Sequence, residues 1–262
     1  FILSEVFGTD TASLALGEAT NLSKTDEPTG GGGITKVGTA SNWNDTGTLA
    51  ITCPVPTGTQ AGHLLVWTII NQNATAITVP SGWTHIANGE TTGVAALVLY
   101  RWATASEPAS YTADTPSGRN ASRMTALSGV DPTTPLDATT PAALTGTGSI
   151  LLPSVTTQTA NAWVVGIASG AQASGGTIVI DSHNMDELIG SATTTSASAT
   201  NVVTASLQKT MATPGSWTPT VSTTPSAPTR RVGITFALKP APGGGPTTTP
   251  KSGSDTASLA VS

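Results

Sequence analysis

The apolar residues of this chain fall in short runs whose spacing is that of β-strands. The clearest is "RVGITFALK" (231–239), where Val232, Ile234, Phe236 and Leu238 alternate with Arg231, Gly233, Thr235, Ala237 and Lys239. Such period-two alternation marks a half-buried strand. "GVAALVLYRW" (93–102) sets Val94, Val98, Tyr100 and Trp102 on one face and Leu97 and Leu99 on the other. A strand apolar on both faces predicts a central position covered from both sides. "HLLVWTII" (63–70) and "AWVVGIA" (162–168) read the same way, with weaker strand signals at 34–39, 48–52, 75–79, 122–128, 149–156, 176–180 and 200–208. Gly, Pro, Asn and Asp cluster as turns at 80–82, 87–93, 114–120 and 131–137. Only "NMDELIG" (184–190) has the pattern of a helical turn. The expectation is an all-β fold, an antiparallel β-sandwich of jelly-roll type built from about nine to eleven short strands.

Composition narrows the setting. Of 262 residues only 10% are charged, against roughly 25% in an ordinary soluble domain. Uncharged polar groups must therefore build the surface, and the 49 threonines supply them, since Thr is a good strand former. The balance of 10 basic to 15 acidic residues argues against a partner held through nucleic-acid phosphates. A mean hydropathy of +0.07 argues against a disordered chain. Apolar runs such as "LLVWTII" are about half the ~20 residues of a membrane-crossing helix, so no membrane insertion is expected. Cys53 stands alone, which rules out an intrachain disulfide, and its apolar setting in "ITCPVP" predicts a small buried hydrophobe.

Two segments divide the chain. "EPTGGGG" (27–33) and "PAPGGGPTTTP" (240–250) have linker composition and cut out a module at 34–240. Residues 8–17 read "GTDTASLALG" and residues 253–262 read "GSDTASLAVS", with seven identities in ten positions. One short element thus brackets the module on both sides, at a spacing of 245 residues that no solenoid uses. The expected organisation is a stalk element and linker at 1–33, a sandwich at 34–240, and a linker with a second stalk element at 241–262. The opening Phe and the ending inside a repeat suggest a piece of a longer polypeptide.

Candidate chemistry is sparse. His63, His85 and His183 have no zinc-ligand spacing, and no calcium-loop, P-loop or G-x-S-x-G motif occurs. Asp181, Asp186 and Glu187 form the densest acidic group, which reads as a solvated turn more readily than a cation site. Glu90, Glu107, Asp114 and Asp131 sit in turn-like segments, where acids are common without catalysis. The expectation is therefore no enzyme, no cofactor and no metal. Six tryptophans stand against three Phe and two Tyr. Trp67, Trp102 and Trp163 read as core and Trp83 as a plug at a sheet end. Trp43 ("SNWND") and Trp217 ("GSWTP") lie in polar, loop-like settings, and their flat indoles are the candidate stacking platforms for a sugar ring.

Several phrases in fixed order, "GTQAGHLLVWTI", "VPSGWTHI", "LVLYRWATASEPASYT", "ALSGVDPTTPLDA", "NAWVVGIA" and "ITFALKPA", resemble a module of minor tail and fibre-like proteins of tailed bacteriophages of the actinobacterial type. The likeness covers about 50–240, with His63 where an Asp is usual and Leu136 where an Ile is usual. It implies a β-sandwich displayed on the virion tail, extracellular, with other tail proteins as partners and contact with the host envelope. The shared phrases are architectural and bring no catalytic residue. A homo-oligomer, a trimer in the manner of tail fibres, is the expected state. The alternative is a carbohydrate-binding or adhesin module reading a bacterial surface glycan through Trp43 and Trp217.

Overall fold

A computed structural model describes residues 33–73, 75–137, 142–173, 176–195, 200–224 and 228–242. Residues 33–242 form one compact unit, and the expected stalk elements at 8–17 and 253–262 lie outside the described residues. The fold is all-β, with no helix among the described residues.

The strands are β1 (Thr35–Pro54), β2 (Leu64–Asn71), β3 (Thr84–Thr91), β4 (Val94–Trp102), β5 (Ser110–Ser128), β6 (Ala142–Gly146) and β7 (Val155–Thr157). There follow β8 (Ala162–Gln172), β9 (Val179–His183), β10 (Glu187–Thr193), β11 (Asn201–Met211), β12 (Gly215–Trp217), β13 (Val221–Thr224) and β14 (Arg230–Leu238). Two five-stranded antiparallel sheets, ordered β1-β5-β2-β4-β3 and β10-β11-β8-β14-β6, face one another. Each sheet holds strands from one part of the chain, which crosses between the sheets once. This corrects the jelly-roll expectation, because a jelly roll interleaves its two sheets along the sequence.

The sandwich is thicker than two sheets because each sheet is also covered on its outer face. The β1–β5 ribbon is more than three times the usual strand length of about 5–6 residues and breaks register between Asn44 and Ala50, with Gly47 at positive φ. Beyond the break it folds back, so that Asn42 Nδ2 donates to the Thr52 carbonyl at 2.7 Å. Ile51, Cys53 and Ala113 thereby pack on Leu65, Trp67 and Ile69. Over the second sheet the small ribbons β7–β12 and β9–β13 do the same work, burying Val155 and Ile178 against Val164 and Leu207. Between the sheets a third cluster contains Val66, Ile70, Val98, Val165, Ile234 and Phe236. Each fully buried side chain of this size contributes roughly 1.5–3 kcal/mol. These two coverings explain the strands apolar on both faces: every residue of β2 is buried.

The Thr-rich surface is used structurally. Exposed hydroxyls meet across the ribbons at Thr35–Ser128 (2.6 Å), Thr52–Thr112 (2.8 Å), Thr156–Ser216 (2.8 Å) and Ser182–Ser222 (2.7 Å). Such cross-strand pairs contribute about 0.2–1 kcal/mol each without any charge.

Three local expectations change. The segment 184–190 holds no helical turn; Glu187 onward is edge strand β10. Residues 75–79 form no strand, yet Ile77 is buried in the outer core. The expected turn at 114–120 lies inside β5, in the stretch that pairs with the bend of β1.

The loop 131–137 is fixed by one carboxylate. Buried Asp131 accepts from the Thr133 hydroxyl (2.7 Å) and amide (2.9 Å), the Thr134 hydroxyl (3.1 Å) and Lys239 Nζ (3.0 Å). The Thr133 donors, joined by the Lys239 ammonium, hold its carboxyl well below the usual carboxylate range. A lowered folded pKa means that the stabilisation is complete above an ordinary carboxylate pKa of about 4 and fades as pH falls further. Asp131→Asn is expected to shrink the loss of stability between pH 7 and pH 3, read as the difference in urea midpoints relative to wild type.

Candidate functional site

Trp43 lies on β1, an edge strand, and not in a loop. Its partner on β5 is Ala121, buried between the sheets, so the indole is on the inter-sheet side of that edge. It remains 47% exposed, the largest aromatic surface among the described residues, with its own amide bonded to Asn42 Oδ1 at 2.9 Å. Asp45, two residues on, accepts from the Thr195 amide (3.0 Å) and hydroxyl (3.2 Å) across the sandwich edge.

Trp217 has a different setting. On β12 it is partly buried against the outer core of the second sheet. Lys209 Nζ sits 4.4 Å from its ring centroid. A sugar stacking on that face must displace the ammonium and its cation–π contact. The two indoles are on different sheets: the structure does not join them in one platform. Of the other four, Trp67, Trp83 and Trp163 are buried, and Trp102 is partly buried against the inter-sheet core.

The densest polar–aromatic constellation surrounds Trp83. Its ring lies 5.0 Å from Trp67 and 5.2 Å, edge-on, from Tyr111, with the Arg101 guanidinium over both Trp83 (5.8 Å) and Tyr111 (4.7 Å). Glu107 accepts from the Tyr111 hydroxyl and from the Thr104 amide (2.7 Å), and pairs with the Arg101 guanidinium (3.5 Å). Burial pushes the Glu107 carboxyl up, but the Tyr111 and Thr104 hydrogen bonds and the Arg101 charge outweigh it and leave the pKa lowered. Burial, with the Glu107 hydrogen bond, pushes the Tyr111 phenol up to about 12. Both groups are thus fixed in one protonation state near neutrality. This is the chemistry of a structural corner, formed by the sequence "YRWATASEPASYT".

A cleft of about 190 Å³ opens beside edge strand β3, floored by Ala95 and Leu97 and walled by Ile77 and Val79. His85, Asn88 and Glu90 line it: His85 Nε2 is 3.1 Å from Asn88 Oδ1, and Asn88 Nδ2 is 3.5 Å from Glu90 Oε1. The three can donate to and accept from ligand hydroxyls. The Asn and Gly of 87–93 predict a turn, but residues up to Thr91 belong to β3. Gly89 is required for packing, since a Cβ there would meet Val232 Cγ1 at 2.6 Å. The spacing of Asn88 and Glu90 on one strand face was the available signal.

The acidic group at 181–187 is engaged residue by residue. Asp181 accepts from Thr224, Asp186 from Lys209 and the Thr210 amide, and Glu187 pairs with Lys36. Among the described residues no group of three or more His, Cys, Asp or Glu is placed to hold a metal ion, and no helix is long and apolar enough to cross a membrane. Cys53 is buried, and burial pushes its thiol up to about 11. A scan of family models, a search of curated proteins and a search of solved structures each found no match to the chain.

Proposed function

We propose that this chain is a structural component of a bacteriophage virion, a minor tail or fibre-like protein that displays the sandwich on the particle surface. The observation that carries this reading is the pair of "DTASLA" elements bracketing the module at 8–17 and 253–262, each separated from it by a Gly/Pro linker. A repeated stalk element on both sides is the organisation of a modular fibre. The ordered phrases shared with tail proteins support it. So does a surface held by hydroxyl pairs, which suits long exposure outside a cell. Self-association of the short stalk elements, as a trimer, belongs to the same reading. Antibodies raised against 33–242 and applied to intact particles of the encoding phage should label the tail in electron micrographs. Labelling confined to the lysate, with bare particles, would sink the proposal.

A second reading has its own observation. Trp43 presents a half-exposed indole at the sandwich edge, a flat apolar surface open to a sugar ring. The module then recognises a host-surface glycan in the millimolar-to-micromolar range, or about 4–8 kcal/mol. Trp43→Ala is expected to abolish retention on host cells and glycan arrays while leaving the domain folded, at a stability cost of about 1–3 kcal/mol for the buried half of the indole. Undiminished binding in that variant removes this reading.

A further inference from the structure

The two sheets have the same topology. Matching β1 with β6, β5 with β14, β2 with β8, β4 with β11 and β3 with β10 turns the order β1-β5-β2-β4-β3 into β6-β14-β8-β11-β10, which is the second sheet, antiparallel throughout. The registers then identify residues with one another. Leu64 lies opposite Leu127 and Trp102, and Trp163 lies opposite Leu238 and Thr210. In that register the edge-strand bulge falls at the same place in both halves, between His85 and Ala87 and between Leu188 and Gly190.

Local details agree. Gly62 and Asn161 are counterparts, with φ of 84° and 60°, and Asn161 is the one non-glycine at positive φ among the described residues. Each amide donates to the residue that follows or ends the matched strand, Gly62 to the Ala103 carbonyl (2.9 Å) and Asn161 to the Met211 carbonyl (2.7 Å). "PASYT" (108–112) corresponds to "PGSWT" (214–218). The cation over the ring is repeated, Arg101 on Tyr111 and Lys209 on Trp217, and so is the hydroxyl pair, Thr52–Thr112 and Ser154–Thr218.

Across the core the halves meet reciprocally: β1 faces β10 while β6 faces β3, and β5 faces β11 while β14 faces β4. A contact between i and j accompanied by the contact between their counterparts defines an isologous, two-fold interface. We infer that the domain is a fused dimer, two copies of one half (33–137 and 142–242) related by a pseudo-two-fold axis, and that the inter-sheet face of each half, Arg123 apart, is a self-complementary surface that fits a second copy of that half. This stands independently of the proposed function.

One site departs from the symmetry. Arg123 is 5% exposed between the sheets, with Nη2 donating to the Ile189 carbonyl at 2.6 Å. It lies against Gly190, where a Cβ would come within 2.4 Å of the guanidinium. Their counterparts are Ile234 and Ala87, both in the inter-sheet core. Two first halves would bring Arg123 against Ala87 twice, so this pair favours the unlike halves over two copies of the first.

Two rearrangements of the compact unit 33–242 test the inference. The first opens the chain at 138–141 and joins 242 to 33 through a short Gly/Ser linker; the second replaces the second half by a repeat of the first (33–141 followed by 40–137) with Arg123→Ile in both copies. Both are expected to be monomeric and all-β by circular dichroism, each with a single cooperative thermal transition. The same repeat with Arg123 retained is expected to lose that transition. An unfolded permutant overturns the two-fold relation, because it keeps every native contact and only exchanges two connections the symmetry makes equivalent. A folded permutant beside an unfolded Arg123→Ile repeat overturns the equivalence of the two faces, as does an Arg123 repeat as stable as its Ile form.

Discussion

Trp67→Ala is expected to destabilise the domain by about 3–5 kcal/mol, the usual cost of truncating a large aromatic in a core. Trp67 is fully buried in the layer between the first sheet and the folded-back ribbon. Its removal takes away the ring against which Trp83 rests at 5.0 Å, and Trp83 in turn is the edge-on partner of Tyr111. The cavity therefore opens beneath a stack of rings that cannot settle into it without breaking the Arg101–Glu107–Tyr111 corner. Total stabilities of domains are about 5–15 kcal/mol, so the loss is a large share of the whole. Urea unfolding followed by tryptophan fluorescence should show a much lower midpoint at nearly unchanged slope. A midpoint within error of wild type would mean that the outer layer contributes little to the cooperative unit.

Gly233→Ala carries the next largest effect, and through added rather than lost atoms. A Cβ at Gly233 would stand 1.8 Å from the Leu151 carbonyl oxygen and 2.8 Å from its carbon. The obstacle is backbone, which has no rotamer to move to. Overpacking costs about 1–3 kcal/mol where side chains can adjust, and more where they cannot. The segment crossing β14 must lift, taking buried Ile150 and Leu152 with it. The expected result is a loss of about 3 kcal/mol or more, with hydrogen exchange accelerated first at 149–157. The counterpart in the first half is Ser122, fully buried, so the equivalent position there accommodates a side chain. Unchanged exchange at 149–157 in the variant would contradict this account.

Strands that are mostly or wholly buried were the legible ones. β2, β4 and β8 are apolar on both faces, β14 is apolar on one and closes the other with Gly233, Thr235 and Ala237, so that it is buried where alternation predicts a half-buried strand, and each appears in the sequence within a residue or two of its observed start. Edge and covering elements were not legible. β3 and β10 are half exposed, so only alternate positions are apolar, and each bulge shifts that alternation by one residue. The long β1–β5 ribbon reads as several short strands because its bend carries Gly47 and Gly118 among polar residues. Trp43 looks loop-like for the same reason: its neighbours Asn42, Asn44 and Asp45 belong to an edge. The aromatic character of Trp217 was visible, but the Lys209 above it comes from a neighbouring strand and has no trace in local sequence. The internal duplication escaped because it survives mainly at corners, in "PASYT" and "PGSWT", and in scattered core positions such as Leu99 and Leu207. The flanking "DTASLA" pair, by contrast, is contiguous.

Thr35 lies opposite Ser128, and the Ala241 amide donates to the carbonyl of the next residue, Gly129, at 2.8 Å. The polypeptide therefore comes into the domain and goes out of it at neighbouring points on one corner. Tension applied across those two points would be felt only at the corner, by the first residues of β1 and the segment after β14, while the three cores behind it stay unloaded.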